Sequence, residues 1–126
     1  MMLISREEEL YVYASKMYGR EETVSMSLLV KQAIKELKRR NISIQTETSL
    51  YFTNTFDEYE KMTLTRSSQS RALTLHGRNI FFSPVELTDG TLFIDGGDSA
   101  LCVVLHELTH IYQYNNLIFQ GKFVDK

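Results

Sequence analysis

The run His106-Glu107-Leu108-Thr109-His110 constrains this chain more than any other part of its sequence. Two histidines four residues apart lie on the same side of an α-helix, so both imidazoles can reach one metal ion. A glutamate directly after the first histidine then lies beside a water molecule at that ion. The spacing predicts a zinc helix of the peptidase type, with His106 and His110 as metal ligands and Glu107 as the general base.

The residues around the motif favour a helix with a buried face. Residues 101–105 are apolar and contain no proline or charge, and bulky uncharged residues follow the motif. Asp98 or Ser99 is a suitable N-cap, so we predict a helix over about 99–117. Cys102 is expected to be a small buried hydrophobe rather than a thiolate ligand. The alternative interpretation is a buried helix with two structural histidines and a surface glutamate.

Length, composition and charge indicate a single globular domain. The 126 residues, of which 43% are hydrophobic, suffice for one domain with its own core, which we expect to span 1–126. The formal net charge of -2 gives no reason to expect a nucleic-acid partner. No stretch has the length of a membrane segment, and the N-terminus does not resemble a secretory signal. Cytoplasmic synthesis is therefore expected, with export by a signal-independent injection system as an alternative.

Hydrophobic periodicity predicts an α+β fold. A capping-box pattern, Ser5 to Glu8, precedes a predicted first helix that Gly19 ends, and a second helix is predicted over about 22–39. Residues 42–53 alternate and predict one or two strands, 56–60 a short helix, and 72–82 and 85–94 two hairpins. The expected order is N-terminal helices, a small antiparallel sheet and the C-terminal HExxH helix. This order suits a zincin, in which the hairpin 72–82 would supply an edge strand beside the metal cleft. The alternative is that 72–82 is an ordinary hairpin of the core.

Two parts of the sequence together resemble a known family. They are the segment 72–82 with its Asn79-Ile80-Phe81-Phe82 step, then Pro84, the HELTH core and Gln113. They resemble a zincin-like metallopeptidase domain of unknown function that is associated with extracellular contractile injection systems and Vgr-related proteins. The resemblance implies a zincin-like fold and a link to secretion or phage-tail-like systems. It does not include the N-terminal residues, and it implies no particular substrate.

A weaker resemblance is to the SprT-like DNA-repair peptidases, which also carry an HExxH helix. In that family a later His-Gly step supplies the third ligand, whereas this chain has Gln120-Gly121 at the nearest match. The absence of a basic face also argues against a DNA-linked role.

The third zinc ligand is the incomplete part of the prediction, because a catalytic zinc normally has three protein ligands. The metzincin pattern would require histidine at position 116, where this chain has Asn116. Three explanations stay open: the chain is a fragment whose ligand lies beyond Lys126, the ligand is Asp125 or an upstream residue, or the site binds metal weakly. The upstream candidates are His76, Glu86, Asp89, Asp95 and Asp98.

The sequence therefore predicts a zinc-dependent metallopeptidase that hydrolyses a peptide or protein substrate. The first alternative is a non-catalytic binding or adaptor domain that keeps a zincin fold with an incomplete metal site. The second is a structural zinc site, which would need four closed ligands.

Overall fold

The computed structural model of the chain describes residues 1–64, 71–75, 77–94 and 97–119. Within them lie three helices, α1 (Arg20–Arg39), α2 (Phe56–Thr63) and α3 (Ala100–Phe119). The eight strands are β1 (Met2–Glu7), β2 (Leu10–Ala14), β3 (Thr48–Phe52), β4 (Ala72–Leu75), β5 (Asn79–Phe82), β6 (Val85–Thr88), β7 (Thr91–Ile94) and β8 (Asp98–Ser99). The fold contains both helices and strands, which agrees with the predicted α+β class.

The first sheet has five strands in the order β1-β2-β3-β5-β4 among the described residues. Its three central strands, β2, β3 and β5, are parallel, whereas β1 and β4 are antiparallel to their neighbours and form the two edges. Parallel neighbours need a crossover connection. Here α1 connects β2 to β3, and α2 lies in the connection from β3 to the β4–β5 hairpin. The prediction of a small antiparallel sheet is therefore wrong for this sheet, whose central strands are parallel.

The second sheet is the small antiparallel one, with strand order β6-β7-β8. Its β6–β7 hairpin turns at Asp89 and Gly90, which both have positive φ angles, 50° and 77°. Such angles suit the Asp-Gly pair, and the predicted hairpin over 85–94 is confirmed. The predicted hairpin over 72–82 is also confirmed, as the antiparallel pair β4–β5.

The predicted N-terminal helix is wrong, because this segment forms the β1–β2 hairpin. Leu10, Val12 and Ala14 are buried at every second position, which is the strand period, while Met17 is 77% exposed. The segment reverses at Glu8, whose φ is 55°. The capping-box pattern therefore has no helix to cap, and the side chain of Glu8 pairs instead with Lys38 of α1.

The other helices follow the predictions closely. α1 covers the predicted range, buries one face that includes Met26, Val30 and Leu37, and ends before Asn41, which has a left-handed φ of 61°. α2 begins after Thr55, whose hydroxyl accepts a hydrogen bond from the Glu58 amide. α3 includes the whole predicted range apart from Ser99. Of the predicted strand region 42–53, only Thr48–Phe52 forms a strand.

One hydrophobic core joins both sheets to α1 and α3. The buried residues from these elements form a single cluster: Leu10, Val12, Ala14, Met26, Leu29, Val30, Ala33, Leu37, Leu50, Phe52, Ile80, Phe82, Val85, Leu92, Ile94, Ala100, Val104, Leu108 and Ile111, together with Tyr18. Among the described residues, no helix has the length and apolar character that crossing a membrane would require.

A buried tyrosine links the two sheets through its hydroxyl group. The Tyr18 hydroxyl donates a hydrogen bond to the Thr53 carbonyl, which follows β3. It also accepts one from the Val85 amide at the start of β6, at 3.0 Å. Burial raises the pKa of Tyr18 to about 12, because the ionised phenolate would lose its hydration. The protonated hydroxyl is thus the form that the fold stabilises.

Replacing this hydroxyl tests its role in joining the sheets. Tyr18→Phe leaves the Val85 amide and the Thr53 carbonyl without this partner, and we expect a loss of about 1–3 kcal/mol in unfolding free energy at pH 7. Denaturant titration by circular dichroism measures this loss.

The raised pKa also predicts a pH dependence. Below pH 10 the phenol is protonated in both states, so its contribution is complete. Between pH 10 and 12 only the unfolded state releases the proton, so the wild type should lose roughly 2–3 kcal/mol of stability there. The Tyr18→Phe variant lacks this loss. Equal alkaline losses in the two proteins would contradict the assignment.

Candidate metal centre

The HELTH residues lie in α3 and face in two directions. Val104, Leu108 and Ile111 are buried in the core at helical spacing. His106 and His110 are exposed on another side of the helix. Leu108, between the two histidines in sequence, is fully buried and ties this turn to the core. The apolar face therefore holds the helix in place while the imidazoles remain accessible.

The two imidazole rings approach each other through their Nε2 atoms, which lie within hydrogen-bonding distance. The Nε2 atoms of His106 and His110 are 3.0 Å apart, and the rings are nearly perpendicular, with an interplanar angle of 89°. Two zinc–nitrogen bonds of ordinary length at a tetrahedral angle would place these atoms about 3.3 Å apart. The observed separation is close to that value. The histidine pair therefore fits as two of the three protein ligands of a zinc ion.

Cys102 precedes His106 by one helical turn and is exposed. The expectation that it is a buried hydrophobe is therefore wrong. The apolar residues around it in sequence are partly or fully buried, but position 102 falls on the side of α3 that the core does not cover.

Glu107 is held by the edge strand of the first sheet. Its Oε1 atom accepts a hydrogen bond of 3.0 Å from the Thr74 hydroxyl of β4. Thr74 pairs with Ile80, a buried residue of β5, so its side chain lies on the face of the sheet toward the core. The helix thus supplies the carboxylate and the strand supplies its hydrogen-bond donor.

Further contacts align β4 with α3 on both sides of Thr74. Arg71 forms an ion pair with Asp98, which lies just before α3. At the other end, Gly77 lies against the Tyr114 ring so closely that a Cβ atom on the glycine would be 2.8 Å from the ring. The order of these contacts along both segments is the same, so β4 and α3 run in the same direction.

An open cleft lies between β4 and α3. Its lining residues are Thr74, Gly77, Glu107, His110, Ile111 and Tyr114. Glu107, the candidate general base, and His110, a candidate ligand, thus line one cleft together with Thr74 of the edge strand β4. The prediction that the 72–82 hairpin lies beside the motif agrees with this arrangement.

The described carboxylates do not complete a metal site. Glu86 and Asp89 belong to the β6–β7 hairpin, and Asp98 pairs with Arg71. Within the described part of the chain, no group of three or more histidine, cysteine, aspartate or glutamate residues could hold a metal ion. The other candidates, His76, Asp95 and Asp125, lie outside the described residues.

Sequence reasoning did not identify Thr74, although a signal was present. The side chains of Ala72 and Thr74 lie on the same face of β4, and Ala72 packs against the core. A hydroxyl on the buried side of a strand needs a hydrogen-bond partner. That partner belongs to a helix 33 residues away, which the local pattern does not specify.

Comparisons of the chain with protein-family models, curated proteins and solved structures give no significant match.

The close contact between the hairpin turn and α3 can be tested with two glycine variants. Gly77 and Gly90 both have positive φ angles, 66° and 77°, but nothing lies near a Cβ atom added at Gly90. Gly90→Ala should therefore cost only backbone strain, about 1–2 kcal/mol. Gly77→Ala should cost about 1 kcal/mol more, because the Tyr114 ring must also move. Thermal unfolding of both variants measures the difference, and equal losses would contradict the contact.

Proposed function

We propose that this protein is a zinc-dependent metallopeptidase. The observation that carries the proposal is the convergence of the His106 and His110 Nε2 atoms, 3.0 Å apart, beside a glutamate held by an edge strand. Two neighbouring imidazoles, one of which lines the same cleft as the carboxylate, are the donors and base that metal-assisted peptide hydrolysis uses. We further propose a zincin-like fold, and the resemblance described above makes a secretion or phage-tail-like system the proposed setting.

The residues of the chain have distinct roles in this mechanism. His106 and His110 would hold the zinc ion, which supplies Lewis-acid activation of water and of the scissile carbonyl when bound. Glu107 takes a proton from the attacking water and returns it to the leaving amine. Its Oε1 atom accepts a hydrogen bond from Thr74, and we assign the proton transfer to Oε2. An extended peptide would pair with the edge strand β4 and lie along the cleft.

His76 and Asp125 are the proposed candidates for the third ligand. His76 is adjacent in sequence to Leu75, the last residue of β4, and to Gly77, which lines the cleft. Asp125 lies six residues beyond the end of α3 at Phe119. Six extended residues span about 20 Å, which exceeds the rise of roughly 14 Å along α3 from His110 to its end.

Zinc content tests the ligand assignment directly. We expect about one zinc per chain in wild-type protein purified with zinc present. That zinc should be lost in His106→Ala and in His110→Ala, because each variant lacks one of the two proposed histidine ligands. Elemental analysis of the purified proteins measures this. A metal-free wild-type protein after zinc-replete preparation would disprove the proposed function.

The same assay compares the third-ligand candidates. His76→Ala and Asp125→Asn should differ, with weaker zinc retention only in the variant that has lost a ligand. Cys102→Ser serves as the control, since Cys102 is exposed on α3 but is assigned no role in binding zinc.

Glu107→Gln separates metal binding from hydrolysis. The substitution preserves shape and removes the proton acceptor, so zinc content should stay at the wild-type level. Cleavage of unstructured protein substrates should fall by at least about a hundredfold. Mass spectrometry of the products identifies the bonds cleaved by the wild type. Unchanged cleavage by the variant would exclude Glu107 as the general base.

A non-catalytic binding or adaptor domain is the second candidate. It is favoured by the lack of a three-residue metal-ligand group in the part of the chain that the structure describes. This function predicts no cleavage of any substrate, and peptide binding that Glu107→Gln leaves unchanged. Cleavage by the wild type that Glu107→Gln abolishes would exclude it.

A further inference from the structure

The hydrogen bond between the edge strand and the motif points to a positioning role. We propose that Thr74 holds the carboxylate of Glu107 in the orientation needed for proton transfer. The hydroxyl of Thr74 lies 3.0 Å from the Glu107 Oε1 atom and donates a hydrogen bond to it. This inference rests on the proposed function, in which Glu107 is the general base.

The strand side of this contact is firmly placed. Thr74 lies in the middle of the β4–β5 pair, opposite Ile80, which is fully buried. The Ser83 amide and hydroxyl both donate to the carbonyl of Arg71, which fixes the start of β4. The ion pair of Arg71 with Asp98 then ties that start to the beginning of α3. The Thr74 hydroxyl is therefore presented to α3 from a strand anchored on both sides.

The helix side of the contact is equally constrained. Glu107 follows one proposed ligand and precedes the other by three residues, and its neighbour Leu108 is fully buried. The helix backbone is thus fixed, but the partly buried glutamate side chain still has several rotamers available. A hydrogen bond to Oε1 selects among them and leaves Oε2 for the reaction. Outer-shell residues that orient metal ligands typically contribute about 10–100-fold to activity, and we expect an effect of the same order for a residue that orients the general base.

The main chain of Thr74 has a separate role in the same cleft. The Ser83 amide bonds to the Arg71 carbonyl, so residues 71, 73 and 75 direct their backbone groups toward β5. The backbone N–H and C=O of Thr74 consequently point to the side of β4 opposite β5. A peptide pairing at that edge would meet the main chain of Thr74, whereas Glu107 meets its hydroxyl. Removal of the hydroxyl should therefore affect turnover and not substrate binding.

Thr74→Val is the test variant, because valine has nearly the same shape, suits a strand and cannot donate a hydrogen bond. Thr74→Ser restores the hydroxyl. Thr88→Val, at an exposed position of the edge strand β6, is the control for a Thr→Val change in a strand. Each protein is assayed with zinc for kcat, KM and zinc content, using a peptide that the wild type cleaves.

We expect Thr74→Val to lower kcat by at least about tenfold, with KM within twofold and zinc content unchanged. Thr74→Ser should recover most of the kcat, and Thr88→Val should match the wild type. Equal kcat values for Thr74→Val and the wild type would overturn the proposal. A raised KM at constant kcat would also overturn it, since that result would indicate a substrate-binding role.

A second readout uses the metal-free protein and does not depend on activity. The carboxyl carbon of Glu107 is observed by NMR in protein labelled with ¹³C at the glutamate carboxyl groups, and is assigned by its loss in Glu107→Gln. Thr74→Val should shift this resonance, whereas Thr74→Ser and Thr88→Val should not. An unshifted resonance would overturn the proposal even if the wild type is an active peptidase. A shifted resonance in a protein that binds no zinc would support the contact and disprove the proposed function.

Discussion

The burial of one face of α3 is the contact on which the rest of the molecule depends. Val104, Leu108 and Ile111 lie in the same cluster as residues of both sheets and of α1. Each such aliphatic side chain contributes roughly 1.5–3 kcal/mol on burial. Because His106, Glu107 and His110 lie on the same turns, the packing that stabilises the fold also fixes the separation of the two imidazoles. The core and the candidate metal centre are thus two sides of one helix.

Elements that depend on local patterns could be predicted from the sequence. The long apolar stripe of α1, the apolar run of α3 and the turn at Asp89-Gly90 each specify one structure. The N-terminal segment does not specify one structure, because Leu10, Tyr11 and Ala14 fit a helical spacing while Leu10, Val12 and Ala14 fit a strand. Pairing with β3, some 38 residues away, decides in favour of the strand. The parallel order of the central strands is likewise set by contacts between segments distant in sequence.

The candidate site also has one part that could be predicted from local sequence and one part that could not. The relative placement of His106, Glu107 and His110 follows from helix geometry alone, so the motif predicts it. The contact of Glu107 with Thr74 depends on the register of β4 against α3, which is fixed by the Arg71–Asp98 ion pair and by the close approach of Gly77. Neither anchor has a signature within its own segment. The exposure of Cys102 was missed for a related reason: an apolar neighbourhood in sequence does not specify which side of a helix the core covers.

β4 is both an edge strand of the first sheet and one wall of the cleft beside Glu107. An open edge presents unpaired backbone groups and invites pairing with other chains, so proteins usually shorten or cover such strands. β4 has only four residues, and its contacts with α3 run along it from the Arg71 end to the Gly77 end. A strand of this length offers too few backbone groups for stable association on its own. Recognition at this edge would need further contacts from the cleft, and those are supplied by the α3 residues that also carry the proposed chemistry. Peptide pairing and placement beside Glu107 would therefore be one event, with Thr74 common to both.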